Sequence, residues 1–384
     1  PPIVDGTDVP SDVVSVRQGR TARWVTVLAG TAALAVTPAL LGAASRPSTG
    51  LPADEVVADA VRSAVVAHSG LVQVDGWLGL PTLPLQNDAT AQLDTSTRVR
   101  TWWVSPTVWR TDTLTATGQR EEVAATGATL AWDYERSSVL VRQTLPGLRL
   151  PRTADLMPPA AARTLLAWLS TSDRPSSLPP REIAGHDASG ARVTSGEPTS
   201  SVAALDVWVD NLTGLPLELD LYTRGNAEPV FRTRFLDVST QRPDPTVVSP
   251  VLSGQAQWST SRPDILSAIR SAGGTLFPDS LTGLPGTAGT GLPAGIATYG
   301  TGFARLVLLE LPHRLVPRVE AAVGAQTVDV GTGRAAVLRS RLLQVAVIET
   351  ADGRGYLLAG TVTGDAMDAA VRATLAALPT GPAG

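Results

Sequence analysis

One uncharged apolar run, Trp24 to Leu41, constrains this chain more than any other feature. Its length is about the 18 or more apolar residues that a membrane-spanning helix needs. Arg17, Arg20 and Arg23 precede it, and basic residues stay on the cytoplasmic side of a membrane. The sequence therefore predicts a single-pass protein of the cell membrane, with its N-terminus inside and the bulk of the chain extracytoplasmic.

The same run also fits the apolar part of a secretory signal that is cleaved near Gly42 to Ser45. The preceding polar segment is long for a signal, and Pro38 does not bar a spanning helix, so we favour the anchor. Secretion after cleavage is the alternative. We assign residues 1–23 to a cytoplasmic tail, 24–45 to the transmembrane anchor or signal segment and 46–52 to a linker.

Composition excludes several classes of function. The 384 residues carry a formal net charge of −4, so no basic excess favours nucleic acid. The absence of cysteine removes disulfides, thiolate nucleophiles and thiolate metal sites together. All 31 basic residues are arginine, which is typical of a GC-rich genome of the actinobacterial type. The length beyond the anchor exceeds one ordinary core and predicts two domains.

The first exported domain is predicted to be a sheet covered by helices. Apolar residues recur at helical spacing over Asp54 to His68, and a second helix is predicted at Pro159 to Ser170. Short strands rich in Val, Thr and Trp lie between and after them, with connections too short for crossover helices. The polar, proline-containing residues 171–180 are predicted to form a loop. The pattern predicts a strongly curved antiparallel sheet that is folded over helices.

A proline-rich stretch at 241–250 marks the predicted domain boundary. We assign residues 53–245 to the curved-sheet domain and 246–384 to a smaller α+β domain. That smaller domain ends in a helix over Asp365 to Leu378, with Asp365 as its predicted cap. The fold class of the whole chain is predicted to be α+β, after an N-terminal membrane helix.

Several stretches carry a resemblance to a known family: DEVVADAVRSAVVAHSG running into LVQVDGWL, the AWDY strand, DVWVDNLTGLPLELDLY and the closing GYLLAGTVTGDAMDAAVRATLAAL. The first domain resembles the outer-membrane lipoprotein carrier (LolA-like) superfamily, and more closely periplasmic regulators of sigma-factor signalling of the RseB/MucB kind. The second domain resembles the small C-terminal domain of those regulators. The resemblance implies that the curved sheet is a half-open β-barrel covered by helices, and that the chain is a binding protein that uses no cofactor.

The resemblance also implies what such a protein holds. Its ligand would be a lipid, a lipoprotein acyl chain or a partner segment on the concave sheet, and its partner an anti-sigma factor or another membrane protein in envelope stress. The carriers are freely soluble, so a membrane anchor favours sensing or hand-over at the membrane. A structural or adhesive surface module without ligand is the alternative, and a secreted hydrolase comes third.

Tryptophan side chains are the predicted ligand-binding residues. The candidates for lining an apolar cavity all fall on predicted strands of the first domain: Trp77, Trp103, Trp109, Trp132 and Trp208. The competing interpretation is that these rings simply fill the core. Adjacent residues on a strand face opposite sides, so of Trp102 and Trp103 only one points toward the helices.

No catalytic residue and no metal site is predicted. His68, His186 and His313 are far apart and lack the paired spacing of metal ligands, so we interpret them as surface or capping residues. We interpret Glu121 and Glu122 as solvated charges at a sheet edge.

Overall fold

The structure is a computed structural model, and it describes residues 50–79, 88–125, 127–143, 151–249, 256–261, 277–286, 295–323, 326–329 and 333–378. The predicted cytoplasmic tail and membrane segment lie outside these ranges. Over the described part of the chain, no helix combines the length and the apolar character that a membrane crossing needs. Anchoring in the membrane therefore stays a prediction.

A twelve-stranded sheet forms the larger part of the described chain. Its strands are β1 (His68–Gly76), β2 (Ser96–Ser105), β3 (Val108–Leu114), β4 (Gln119–Ala125), β5 (Ala128–Asp133), β6 (Ser138–Gln143), β7 (Arg174–Ile183), β8 (His186–Thr194), β9 (Val202–Asp210), β10 (Pro216–Thr223), β11 (Phe231–Ser239) and β12 (Gln257–Ser261). Their order across the sheet is β12-β6-β5-β4-β3-β2-β1-β11-β10-β9-β8-β7. Neighbours are antiparallel except β12 and β6. The predicted α+β class and open antiparallel sheet are confirmed.

Short helices cover one face of this sheet. Helix α1 (Ala53–Arg62) continues into a 3-10 turn, Ser63–Val65, and α2 (Asp88–Gln92) and α3 (Pro158–Leu166) follow later in the chain. The predicted first helix extended to His68, but the α-helix ends at Arg62. The reason is local, since Ser63 Oγ donates to the Ala60 carbonyl at 2.7 Å and His68 already pairs within the sheet.

The covered face is called the inner face here, and the opposite one the outer face. Val72, Val74 and Val99 are buried on the inner face, in one core with Val56 of α1 and Ala162 of α3. Side chains alternate along a strand, and register partners on neighbouring strands share a face. The register therefore assigns the other strand residues to the inner or the outer face.

Strand β7 corrects the loop that was predicted for residues 171–180. It forms one edge of the sheet, and its residues are almost all exposed. Pro175, Pro179 and Pro180 made the segment read as a loop, yet an edge strand accepts proline because one side of it needs no ladder hydrogen bonds. The register shifts between Leu178 and Arg181, where the proline pair lies.

A second, six-stranded antiparallel sheet occupies the C-terminal part. Its strands are β15 (Ile296–Tyr299), β16 (Leu306–Leu311), β17 (Gln326–Asp329), β18 (Gly333–Arg339), β19 (Gln344–Thr350) and β20 (Gly355–Gly360), preceded by a small hairpin of β13 (Ser280–Leu281) and β14 (Leu284–Pro285). The order is β15-β16-β20-β19-β18-β17. Helix α4 (Val316–Val323) packs with Val347 and α5 (Gly364–Ala377) with Ile348, so the two helices cover opposite faces.

The N-cap of helix α5 lies two residues before the predicted cap. Thr363 is the N-cap, and its Oγ1 accepts a hydrogen bond from the Ala366 amide at 3.3 Å. The predicted cap at Asp365 is wrong, because a threonine hydroxyl serves the same free amides and Asp365 lies within the first turn.

The two sheets are joined through side chains and backbone. Phe303 and Leu342, which belong to the C-terminal part, are buried in the core of the first sheet. Ser201 Oγ donates to the Leu342 carbonyl at 2.6 Å, and Ser200 forms a β-bridge with Val362. Strand β12 follows the predicted boundary at 245/246 yet adds to the first sheet. The boundary itself stays a prediction.

Candidate functional site

A row of three rings crosses the inner face beneath the helices. Trp103 of β2 is the register partner of His68 on β1 and of Trp109 on β3. The indole Nε1 of Trp103 donates to the Ala64 carbonyl at 3.2 Å, in the 3-10 turn that follows α1. The row therefore lies directly against the helical cover.

The tryptophans predicted to line a cavity do not all lie on this face. Trp103 and Trp109 are brought together on the inner face, whereas the register places Trp132 and Trp208 on the outer face. Trp77 follows the end of β1 and is 45% exposed. A cavity on the inner face can contact only Trp103 and Trp109 of the set. Ligand binding by any of the five stays a prediction.

Trp103 and four residues around it form what we call the inner cluster: Ser63, His68, Trp103, Arg163 and Phe235. The His68 ring is stacked on Trp103 with centroids 6.2 Å apart, and Phe235 meets His68 edge-on at 5.8 Å. The Arg163 guanidinium carbon lies 5.2 Å from the centroid of Trp103, and Nη1 donates to Ser63 Oγ at 3.1 Å. The cluster thus combines aromatic rings with a single cation.

His68 is uncharged at neutral pH. It is 2% exposed, and burial lowers its pKa to about 4, with the Arg163 charge acting in the same direction. Its Nδ1 lies 2.9 Å from the Val66 carbonyl, which can only accept, so Nδ1 carries the proton. The predicted surface or capping role is wrong for His68, because the residue opens β1 with its ring turned inward.

The helical segment that carries Ser63 also exposes two apolar side chains, Val61 and Val65, and we call them the apolar rim. Their exposed fractions are 44% and 84%. Val65 directly follows Ala64, whose carbonyl accepts from the Trp103 indole. Scattered exposed valines need no explanation by themselves, but these two lie within two residues of Ser63 of the inner cluster.

Glu121 and Glu122 correct another sequence-based interpretation, since both are buried and not solvated. Glu122 faces inward, pairs with Arg142 at 2.5 Å and accepts from the Thr153 amide at 2.9 Å. Glu121 faces outward, and burial raises its pKa although Arg110 lies 3.0 Å away. Both carboxylates belong to the middle of the sheet because β5, β6 and β12 extend it beyond β4.

The outer face carries arginines that are matched to carboxylates. Three such pairs are Arg192 with Asp206 at 2.6 Å, Arg232 with Asp220 at 2.7 Å and Arg181 with Glu218 at 2.9 Å. The Arg181 guanidinium carbon also lies 3.5 Å from the centroid of Trp208. On this face, Trp208 is therefore covered by a cation that already has its counter-charge.

Metal binding depends on the histidine and carboxylate side chains of the described residues. Within them, no group of three or more His, Asp or Glu side chains is placed to hold a metal ion. His68 is the buried histidine of this part of the chain, and its Nδ1 hydrogen bond goes to the Val66 carbonyl and not to a hydroxyl or carboxylate. The aromatic rings packed around His68 suit the binding of an apolar group.

Comparisons with known proteins add similarities of fold. No family model matches the chain, and no curated protein matches it in sequence. The chain is similar to MucB, with 17% identity over 84% of this chain and 96% of that one at a TM-score of 0.45. It is similar to the MucA/MucB complex of Pseudomonas aeruginosa, with 16% identity, coverages of 84% and 97% and a TM-score of 0.46. A LolA superfamily protein from Nitrosomonas europaea matches with 10% identity, coverages of 52% and 98% and a TM-score of 0.24.

Proposed function

We propose that this chain is an extracytoplasmic binding and regulatory protein that is not an enzyme. It holds a lipid, a lipoprotein acyl chain or a partner segment against the inner face of its first sheet. The observation that carries the proposal is the inner cluster, where aromatic rings lie under short helices and are edged by the apolar rim. Binding sites of this composition, mostly apolar with a few polar groups, are typical of small-molecule pockets.

The location and the partner of this function are supported by the sequence. The apolar run at 24–45, with arginines before it, supports an anchored protein that works outside the cytoplasm. The resemblance to RseB/MucB-type regulators supports an anti-sigma factor or another membrane protein as partner in envelope-stress signalling. MucB itself has been solved as a complex with MucA.

The test is native mass spectrometry with lipid extraction on the full chain, purified gently from its own host. We expect a co-purifying acyl-chain ligand or a bound partner protein. Trp103→Leu should lose the ligand because it removes the central ring of the inner cluster. Trp258→Leu is the matched control, since Trp258 lies on β12 and is 53% exposed.

Retention of the ligand by Trp103→Leu, with loss in Trp258→Leu, would place binding elsewhere. A folded wild-type chain with neither ligand nor partner would favour the alternative, a structural or adhesive surface module. Circular dichroism of both variants must show native folding, so that loss of ligand is not loss of structure.

A further inference from the structure

The Arg163 guanidinium is half-buried without a counter-charge. Among the described residues, no carboxylate oxygen lies within 4.0 Å of its nitrogens, and its Nη1 donates to the Ser63 hydroxyl. Burial lowers the pKa of Arg163, while Asp155 at longer range raises it. Asp155 is engaged elsewhere, because it accepts from the Arg152 amide at 2.8 Å and lies 3.7 Å from the Arg152 guanidinium.

Two partly buried arginines of the first sheet are paired with carboxylates. Arg110 makes two hydrogen bonds of 2.8 Å to Asp112, and Arg232 makes hydrogen bonds of 2.7 and 2.9 Å to Asp220. A charge taken out of water is costly unless it is paired, so such pairing is the ordinary arrangement. Arg163 departs from that arrangement, and it does so within the inner cluster, whose Ser63 lies on the same helical segment as the apolar rim.

The other members of the inner cluster do not supply an anion. His68 is neutral, Trp103 and Phe235 are uncharged, and Ser63 Oγ donates its proton to the Ala60 carbonyl. The face of Trp103 offers some compensation through its quadrupole, but at 5.2 Å and without a full negative charge. The site therefore offers an unpaired positive charge beside exposed apolar side chains. An amphiphile with an anionic head group has the complementary chemistry.

We propose that the inner cluster binds a single-chain amphiphile by its carboxylate head group, with Arg163 holding the head and the apolar rim contacting the chain. The inference rests on the proposed function and names the ligand class of the same site. Arg163 presents a planar fork that matches a carboxylate bidentately. One guanidinium also balances one negative charge, whereas a phosphate monoester brings about −1.5 to −2 and leaves an excess.

The experiment compares amphiphiles of one chain length and different head charge on the full chain. Laurate, dodecyl phosphate, dodecyl maltoside and dodecyltrimethylammonium are titrated calorimetrically, each below its critical micelle concentration. We expect laurate to bind on the order of 10-fold or more tightly than the neutral and cationic compounds, as a charge-assisted hydrogen bond requires. The affinity for dodecyl phosphate should lie between the affinities for laurate and for the maltoside.

Two arginine variants locate the effect. Arg163→Met keeps an apolar stem and should reduce laurate affinity to that of the maltoside, while Arg163→Lys should restore part of it. Arg62→Met is the matched control, because Arg62 ends the neighbouring helix α1 with its side chain 68% exposed. Thermal melts of the three variants should show the same folded baseline as the wild type.

Equal affinity of the wild type for laurate and the maltoside would overturn the inference, as would unchanged laurate binding in Arg163→Met. A native ligand with an uncharged head, found by mass spectrometry, would refute this inference and leave the proposed function standing. If no amphiphile binds and the native protein is also empty, both fail together.

Discussion

Acidification should destabilise this protein through His68, whose pKa is depressed in the fold. The free imidazole has a pKa of about 6.5, and burial lowers that of His68 to about 4. A group with a depressed folded pKa that is cationic when protonated binds its proton more readily in the unfolded chain. Stability is therefore fully present above about pH 6.5 and falls as the pH drops toward 4.

The size of this effect follows from the two pKa values. At pH 5 the unfolded chain has protonated His68 almost completely and the folded chain hardly at all, which corresponds to a loss of about 2 kcal/mol relative to pH 7.5. The charged group facing His68 is Arg163, and the packed neighbours Trp103 and Phe235 carry no charge. Among the described residues, no anion beside His68 therefore offsets the proton.

The assay is urea unfolding of the full chain at pH 7.5 and pH 5, with wild type and His68→Phe side by side. The phenylalanine keeps a ring against Trp103 and cannot titrate, so its pH dependence should be smaller by about 2 kcal/mol. Carboxylates titrate equally in both proteins and cancel in the comparison. His313→Gln is the control at an exposed histidine. An equal pH dependence in wild type and His68→Phe would refute the reasoning.

Three further substitutions test the packing that holds the site. Arg110→Met leaves Asp112 and Glu121 buried without their cation and should cost about 3–5 kcal/mol in urea unfolding. Phe303→Ala removes a fully buried ring from the core that the two sheets share and should cost about 3–5 kcal/mol, with both sheets losing protection from hydrogen exchange. Thr363→Ala deletes the N-cap of α5 and should lower stability by about 1 kcal/mol.

Each of these has a matched control. Arg136→Met removes a guanidinium that is 72% exposed, and Leu212→Ala truncates a side chain that is 92% exposed, so each should stay within about 0.5 kcal/mol of wild type. Thr363→Ser keeps the capping hydroxyl and should retain most of the stability. If the control variants lost as much stability as the test variants, the loss could not be assigned to these contacts.

The sequence predicts the sheet well because its strands have local signals. Strands β9 (Val202–Asp210) and β6 (Ser138–Gln143) are examples, since residue types that favour strands act within a few residues. Strand β7 was missed because its prolines carry a loop signal, and only its place at the edge makes them acceptable. The parallel pairing of β12 with β6 joins residues that are far apart in sequence, so no local sequence pattern predicts it.

The site was less predictable than the fold. Alternation along β2 correctly separates Trp102 from Trp103, but it does not say that Trp132 and Trp208 belong to the outer face. The predicted set missed His68, Arg163 and Phe235 because their meeting depends on three separate elements. The available sequence signal for Arg163 was its position as an arginine inside α3, a helix whose other residues are mostly apolar.

The two faces of the first sheet offer the same contact in two electrostatic settings. On the outer face Arg181 covers Trp208 and has Glu218 at 2.9 Å, whereas on the inner face Arg163 covers Trp103 and has only a serine hydroxyl. Since stacking is common to both, it does not explain why one cation lacks a carboxylate. Because Arg163 has no carboxylate partner in the folded chain, a bound anion would supply its counter-charge. A ligand that binds only the folded chain stabilises it by mass action. Laurate should therefore raise the melting temperature of wild type and leave that of Arg163→Met unchanged.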